Sequence, residues 1–395
     1  MTIELKKSIL KSKGLPEKGF KLEDRFSCPA GIYEESSELI SPFILLPFRC
    51  ILKNTSNKKL SQKDTKGVYM TVLSIIWNDI LPLLVFVWAG WFLDSRFKLD
   101  LGTYSKLIVL VMLPCFIFFN LYRYEGSEAD LLLLPAAILL MILQYILSAI
   151  LGHGLGLGKE VRDEFKAVST FSNSGHIGAA LIMLIFTHPP FSEGASHPYL
   201  AQAMGAMAIL MIVMNICVNV FGAALIRSRG ASISEFFLYL LKMPALYAAV
   251  LAFILKMAEI PLQHTFLWPV FIHFNGAFFI LVTITIGIQL HRSRLQKPDF
   301  SMISSMALKL ILMPLLAFGI LEILGSGLGI RNAVAEQVFF LFAAIPSSMT
   351  LIIYGAEYKE DSSYLTQSVL FNTVCGIITV TGAIYISRLL FPLGM

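Results

Sequence analysis

Ten mostly apolar stretches follow one another along the chain, at approximately 71–93, 104–122, 131–153, 164–187, 199–226, 236–258, 266–290, 302–324, 333–354 and 364–389. A helix needs about 20 such residues to cross a hydrocarbon layer about 30 Å thick. The pattern predicts an all-α polytopic membrane protein with ten transmembrane helices. Two of the ten do not read as continuous helices. FSNSGHIGAA, Phe171 to Ala180, sets two serines, an asparagine, a histidine and two glycines into the fourth stretch. AAIPSSMT, with Pro346 near its middle, interrupts the ninth. Unpaired backbone in hydrocarbon costs several kcal/mol per group, so a break persists only against protein or a wet cavity.

Composition points the same way. The chain of 395 residues is 56% hydrophobic and 14% charged, with mean hydropathy +0.73; a soluble domain has about 25% charged residues. The formal charge of +5 belongs to an N-terminal arm. Residues 1–70 carry 13 Lys and Arg against 8 Asp and Glu, and the remainder carries 18 of each. The excess therefore implies nothing about nucleic acid, and none is expected as a partner. The arm lacks the apolar run of a signal peptide. Its patch LISPFILLPFRCIL, Leu39–Leu52, is too short and too broken by Pro42 and Pro47 to span, so a disordered or loosely packed arm is expected, with an interfacial segment as the alternative. Cys28, Cys50, Cys115, Cys217 and Cys375 have no metal or redox spacing. No disulfide framework, metal or cofactor is expected. GHGLGLGKE, Gly152–Glu160, lacks the first glycine and the final Ser or Thr of a phosphate loop and reads as a plain loop.

The connections after the odd-numbered stretches, with their flanking turns, hold twelve basic residues, among them Arg96, Lys98, Arg162, Lys166, Arg227 and Arg292; those after the even-numbered ones hold Arg123, Lys256 and Arg331. The positive-inside bias puts the odd connections in the cytoplasm and the C-terminus outside a cell membrane. That orientation also places the basic arm outside, unless translation starts at Met70; both accounts stay open.

Prolines recur in the same order in the two halves, Pro82 with Pro244 and Pro135 with Pro314, at offsets of 162 and 179 residues, and the two breaks lie roughly 170 apart. This predicts a five-helix repeat over 71–226, a short cytoplasmic linker at 227–235, and a second five-helix repeat over 236–395. An odd number of helices inverts the second repeat, an arrangement typical of secondary transporters. If the breaks cross at mid-depth, each second half-helix aims its N-terminus, worth about +0.5 charge, at the crossing. Two such ends favour an anion. Ser347 and Ser348 suit a cap after Pro346, and Asn173 and Ser174 offer side-chain donors and acceptors beside the other break.

NSGHIGAAL (Asn173–Leu181), AAIPSSMTLIIYGAEYKEDSSYLTQSVLFNT (Ala343–Thr373), LPLLVFVWAGWFLD and VMLPCFIFF (Val111–Phe119) resemble the auxin efflux carrier family. The resemblance covers residues 75–390. It implies the fold of the bile-acid:sodium symporters, with ten helices in two inverted fives and crossing, broken helices 4 and 9, and it implies transport of organic mono- or dicarboxylates. This chain has Ala180 where the family usually has a proline, so the fourth-helix break is expected to rest on Gly175 and Gly178. The short inter-half loop is more similar to prokaryotic members than to plant exporters.

The expected function is a secondary transporter or uniporter, not an enzyme. It would move a small organic anion such as malate, malonate or an auxin-like acid by alternating access, in the direction of efflux. Proton- or sodium-coupled uptake is the alternative. From other classes come an intramembrane enzyme using His176 or His291 with an acidic partner, and a membrane sensor. The expected substrate-binding residues are Asn173, Ser174, Gly175, Gly178, Pro346, Ser347, Ser348 and Asn120. His176, Glu336 and Tyr354 are candidates for coupling or gating. Lys309, in the eighth stretch, is expected to snorkel to water. The expected partners are the organic anion and the bilayer, with a second copy of the chain as an open option.

Overall fold

A computed structural model describes residues 62–126, 128–192, 196–227, 233–293, 296–328 and 332–393. The chain divides between Leu60 and Ser61. The Leu39–Leu52 patch, Cys28 and Cys50 lie outside the described residues. Met70 falls inside the first spanning helix, Gly67–Phe97.

All regular structure among the described residues is helical. Among the described residues seven helices are long and apolar enough to cross a membrane: α1 (Gly67–Phe97), α2 (Leu101–Tyr122), α3 (Asp130–Gly154), α6 (Leu200–Ile226), α9 (Trp268–Arg292), α10 (Phe300–Gly325) and α13 (Ser363–Leu390). The three remaining apolar stretches are each divided. The fourth becomes α4 (Lys159–Thr170) and α5 (Ser174–Thr187). The sixth becomes α7 (Ile233–Lys242) and α8 (Pro244–Met257). The ninth becomes α11 (Ala333–Ala344) and α12 (Thr350–Tyr358). Division of the fourth and ninth follows the expectation. Division of the sixth was not expected. Met243 takes an extended conformation (φ −89°, ψ 104°) and Pro244 opens the next helix, because a residue before proline is pushed out of the helical region.

The prolines do not act alike in the two halves. Pro82, Pro114 and Pro314 each follow a single π-turn, at Ile76–Ile80, Ile108–Met112 and Leu308–Leu312. A π-turn absorbs the backbone group that a proline leaves without its i−4 donor, so these helices run on. Pro135 instead sits in the first turn of the regular part of α3, where its missing N–H is not needed. Thus Pro82 and Pro244, paired by order in the sequence, differ in local geometry.

Burial separates two kinds of helix. Every residue of α11 from Val334 to Ala344 is buried, as expected of a helix apolar all round at the centre of a bundle. α1 leaves Val85, Trp88, Trp91 and Phe92 exposed, a surface fit for lipid. α1 and α9 approach through glycines. A Cβ on Gly90 would strike the carbonyl of Ile284, and one on Gly287 the carbonyl of Val87. At their ends Asp94 clamps the pair, accepting from Arg292 Nη2 at 2.6 Å and lying 2.8 Å from His291 Nδ1.

Candidate functional site

The breaks in the fourth and ninth stretches meet. Phe171 (φ −91°, ψ 127°) ends α4 in extended conformation, and Ile345 (φ −64°, ψ 136°) does the same after α11. Ile345 precedes Pro346, which accounts for its conformation. On the other strand no proline is present; Ser172 and Asn173 belong to the residue types whose side chains compete for backbone groups in helices. The two extended pieces form an antiparallel bridge at Ser172 and Ser347. Asn173 N–H donates to the Pro346 carbonyl at 2.8 Å, and Ser348 N–H to the Phe171 carbonyl at 2.9 Å. Each break thus satisfies the other's backbone, which makes both tolerable at membrane depth.

Side chains hold the crossing in place. Ser347 Oγ donates to the Val168 carbonyl at 2.7 Å. Gln144 on α3 donates to the carbonyls of Ser169 and Leu308, at 3.1 and 2.9 Å. Lys309 on α10 is fully buried, and its Nζ donates to Ser172 Oγ at 2.5 Å and approaches Met313 Sδ at 2.9 Å. The expectation that Lys309 snorkels is therefore corrected: its stem points inward to the break, where Ser172 offers an oxygen.

A cavity of about 170 Å³ lies against the crossing. Asn173, Ser174, Gly175, His176 and Ser348 form its floor. Asn215 and Asn219 of α6, Tyr239 and Lys242 of α7, the middle of α2 from Ile108 to Leu113 and Phe278 of α9 form its walls. Asn215 and Asn219 lie in the second half of α6, and α7 is the piece of the sixth stretch that adjoins the basic connection at 227–235, so the cavity lies on the basic side of the crossing. On the opposite side aromatic side chains fill the seam between α2 and α9. Phe116 and Phe278 have ring centroids 4.4 Å apart, and Phe118 and Phe271 4.6 Å.

The residues singled out in the sequence divide between this cavity and elsewhere. Asn173 is 2% exposed, and its Nδ2 makes no hydrogen bond among the described residues. His176 also lines the cavity. Ser347 and Ser348 do not cap α12: that helix begins at Thr350, with Met349 before it and no side-chain cap. Ser348 reaches the cavity, whereas Ser347 turns to Val168. Pro346 borders a separate apolar cavity with Ile177 and Gly376. The break does not rest on the glycines either. Gly175 and Gly178 lie in the π-turn that begins α5, and Gly178 is where a Cβ would meet Met207 and Ile345.

Asn120 sits in the aromatic seam, donating to the Phe116 carbonyl at 2.8 Å and to Asn275 Oδ1 at 2.7 Å. Tyr354 does not line the cavity, but its hydroxyl donates to Asn219 in the wall. Glu336 lies in the first turn of α11, away from the cavity. Near it Asn332 caps α11 and donates to Asp130 at 2.9 Å. Tyr124 donates to Asp130 at 2.5 Å. Burial, reinforced by the Asp130 carboxylate, pushes the Tyr124 phenol well above its ordinary range, so it remains a donor.

Lys242, Tyr239, Asn215 and Asn219 were missed. The signal for Lys242 was its place two residues before Pro244. Among the described residues no Asp or Glu lines the cavity. The one His291–carboxylate pair, with Asp94, belongs to the α1–α9 clamp and not to the cavity.

Residues 75–384 match the family model described as membrane transport protein, which bears out the resemblance to auxin efflux carriers. The chain is also similar to an uncharacterized transporter of Methanothermobacter thermautotrophicus, 23% identical over 313 residues, which cover 77% of this chain and 95% of that protein.

Proposed function

The chain belongs to the membrane transport protein family, and from that premise we propose that it carries a small organic anion by alternating access about the crossing. The observation that carries this reading is the make-up of the cavity. Among the described residues its charged and titratable lining groups are Lys242, His176 and Tyr239, with no carboxylate, and Asn173, whose Nδ2 has no described partner, lines the same space. Beside Asn173 the N–H groups of Ser174, Gly175 and His176 begin α5 and have no intrahelical acceptor ahead of them. Ser348 N–H is already used by the crossing, so the α5 end is the stronger half of the anion site.

The packing supports alternation. The described state has its cavity on the basic side and an aromatic seam on the other. Transport requires the crossing, with α3, α6, α10 and α13, to move against the clamped α1–α9 pair and α2. The two halves act as inverted five-helix repeats in this reading. With the basic connections in the cytoplasm of the cell membrane and the C-terminus outside, an anion leaves downhill. Each elementary charge is worth about 2.3 kcal/mol per 100 mV. Among the described residues of the wall there is no carboxylate to hold a coupling cation, which favours efflux or facilitated diffusion over coupled uptake. Malate, malonate and auxin-like acids all fit the class.

Counterflow in proteoliposomes tests the substrate class. Radiolabelled mono- and dicarboxylates are expected to exchange, at rates that change with imposed voltage, while the corresponding amides do not. Exchange of the amides with no exchange of any carboxylate ends the anion reading. The orientation is tested separately. A cysteine at Ser192 is expected to react with an impermeant maleimide in intact cells, and one at Ser293 only after permeabilisation. The reverse pattern overturns the direction argument.

A further inference from the structure

A second pair of pockets lies outside the transport path, on the lipid-facing side of α3, α4 and α6. The upper one is shallow and basic, about 440 Å³, and is lined by Ala149, Ile150, His153, Arg162 and Lys166. The lower one is an apolar groove of about 500 Å³ whose wall includes Ile138, Ile142 and Tyr145 of α3, Phe171 and, from α6, Phe221. The same two helices wall both. On α3, Ala149 follows Tyr145 by one turn; on α4, Lys166 precedes Thr170 by one turn. The Lys166 Nζ stands 5.4 Å above the Tyr145 ring, so the basic pocket and the groove meet at that residue.

The charges do not cancel in the upper pocket. Lys166 is bridged to Asp163 at 2.5 Å, and Glu160 and Lys159 lie one turn away. Arg162 approaches His153 Nδ1 at 3.3 Å and pairs with no carboxylate among the described residues. One net cation therefore remains at the membrane border. Below it, Ile138 (48%), Ile142 (50%) and Phe221 (45%) stay exposed at a depth where the surroundings are hydrocarbon.

We infer that these two pockets form one binding site for an anionic phospholipid of the leaflet on the basic side, its phosphate at Arg162 and Lys166 and one acyl chain in the groove. Basic pockets between membrane helices suit acidic headgroups. A free phosphate or a soluble organic phosphate leaves the groove unused, and a zwitterionic lipid brings its own cation beside the phosphate and leaves the net charge of the pocket in place, so the combination selects an acidic lipid. The site also touches the transport machinery. The chain in the groove lies on Phe171, whose carbonyl accepts the Ser348 N–H of the crossing.

The test is native mass spectrometry of the full chain released from nanodiscs of phosphatidylcholine and phosphatidylglycerol. One phosphatidylglycerol is expected to stay bound in preference to phosphatidylcholine. In the double variant R162Q/K166Q its affinity falls about 30-fold, each basic residue near the surface being worth about fivefold. I142W, which fills the groove and keeps both charges, is expected to lose the lipid as well. Both variants change partly exposed side chains, and both are expected to melt like the parent in pure phosphatidylcholine. Unchanged phosphatidylglycerol retention in either variant overturns the inference. So does binding of soluble glycerol phosphate as tight as that of the lipid, or a native dimer that R162Q/K166Q dissociates, since the face is then an ion site or a protein interface.

Discussion

Replacing Asn173 by alanine is expected to weaken substrate affinity about 10- to 150-fold while leaving the maximal rate near that of the parent. A hydrogen bond to a charged group is worth about 1.5–3 kcal/mol, which converts to that range of affinity. The side chain is suited to it. It is buried at the cavity floor, and its Nδ2 has no partner among the described residues. The backbone of Asn173 does different work, since its N–H holds the Pro346 carbonyl and its C=O accepts from Ile177 and Gly178. Those bonds survive the change to alanine, so the crossing remains and high substrate concentration restores transport. Asn173→Asp is the sharper comparison. It keeps the shape and puts a carboxylate where the anion should lie, so no substrate concentration rescues it. The measurement is the concentration dependence of initial counterflow for both variants. Parent-like affinity in Asn173→Ala, or a working Asn173→Asp, removes this residue from the anion site.

At Lys309 the expected loss is of rate. Lys309→Met should lower transport at least 100-fold at every substrate concentration, with no fall in thermal stability. Nζ is buried against the Ser172 hydroxyl, on the residue that forms the bridge to Ser347. A buried donor carries a large desolvation cost, and methionine of similar length removes the more costly of the two polar groups. What is lost is the tether between α10 and the break, without which the crossing no longer moves with α10 as one body. Ser172→Ala gives the opposite stability result. It leaves Nζ buried without its oxygen, at a cost of about 1–3 kcal/mol. The double variant should recover that stability without recovering transport. Melting curves and counterflow on the three proteins decide the matter. If Lys309→Met transports like the parent, the contact is only packing.

Much of the architecture was legible before any coordinates. Apolar stretches of spanning length located all seven long helices, because hydrocarbon demands a run of apolar residues whatever its neighbours are. Polar residues at Ser172–Ser174 and Pro346–Ser348 located two of the three breaks, because a helix cannot hide such backbone in lipid. The motifs around the same residues also identified the family. Less was legible where the signal lay in partners distant in sequence. Gly175 and Gly178 looked like the hinge, but the residues that leave the helix are Phe171 to Asn173, held open by Pro346 and Ser348 about 175 positions away.

The sequence by itself determined that this is a helical membrane protein, which stretches are long and apolar enough to cross a bilayer and where two of the stretches break; these follow from local hydropathy and from the backbone chemistry of proline and short polar side chains. Only the tertiary structure decided how each break is satisfied, that Lys309 turns inward to Ser172, and that Lys242 and the asparagines of α6 join Asn173 and His176 at one cavity. Those outcomes depend on which helices lie side by side. A lysine two turns from a membrane border can reach water or a buried hydroxyl with the same stem, and its choice is made by the neighbour it meets.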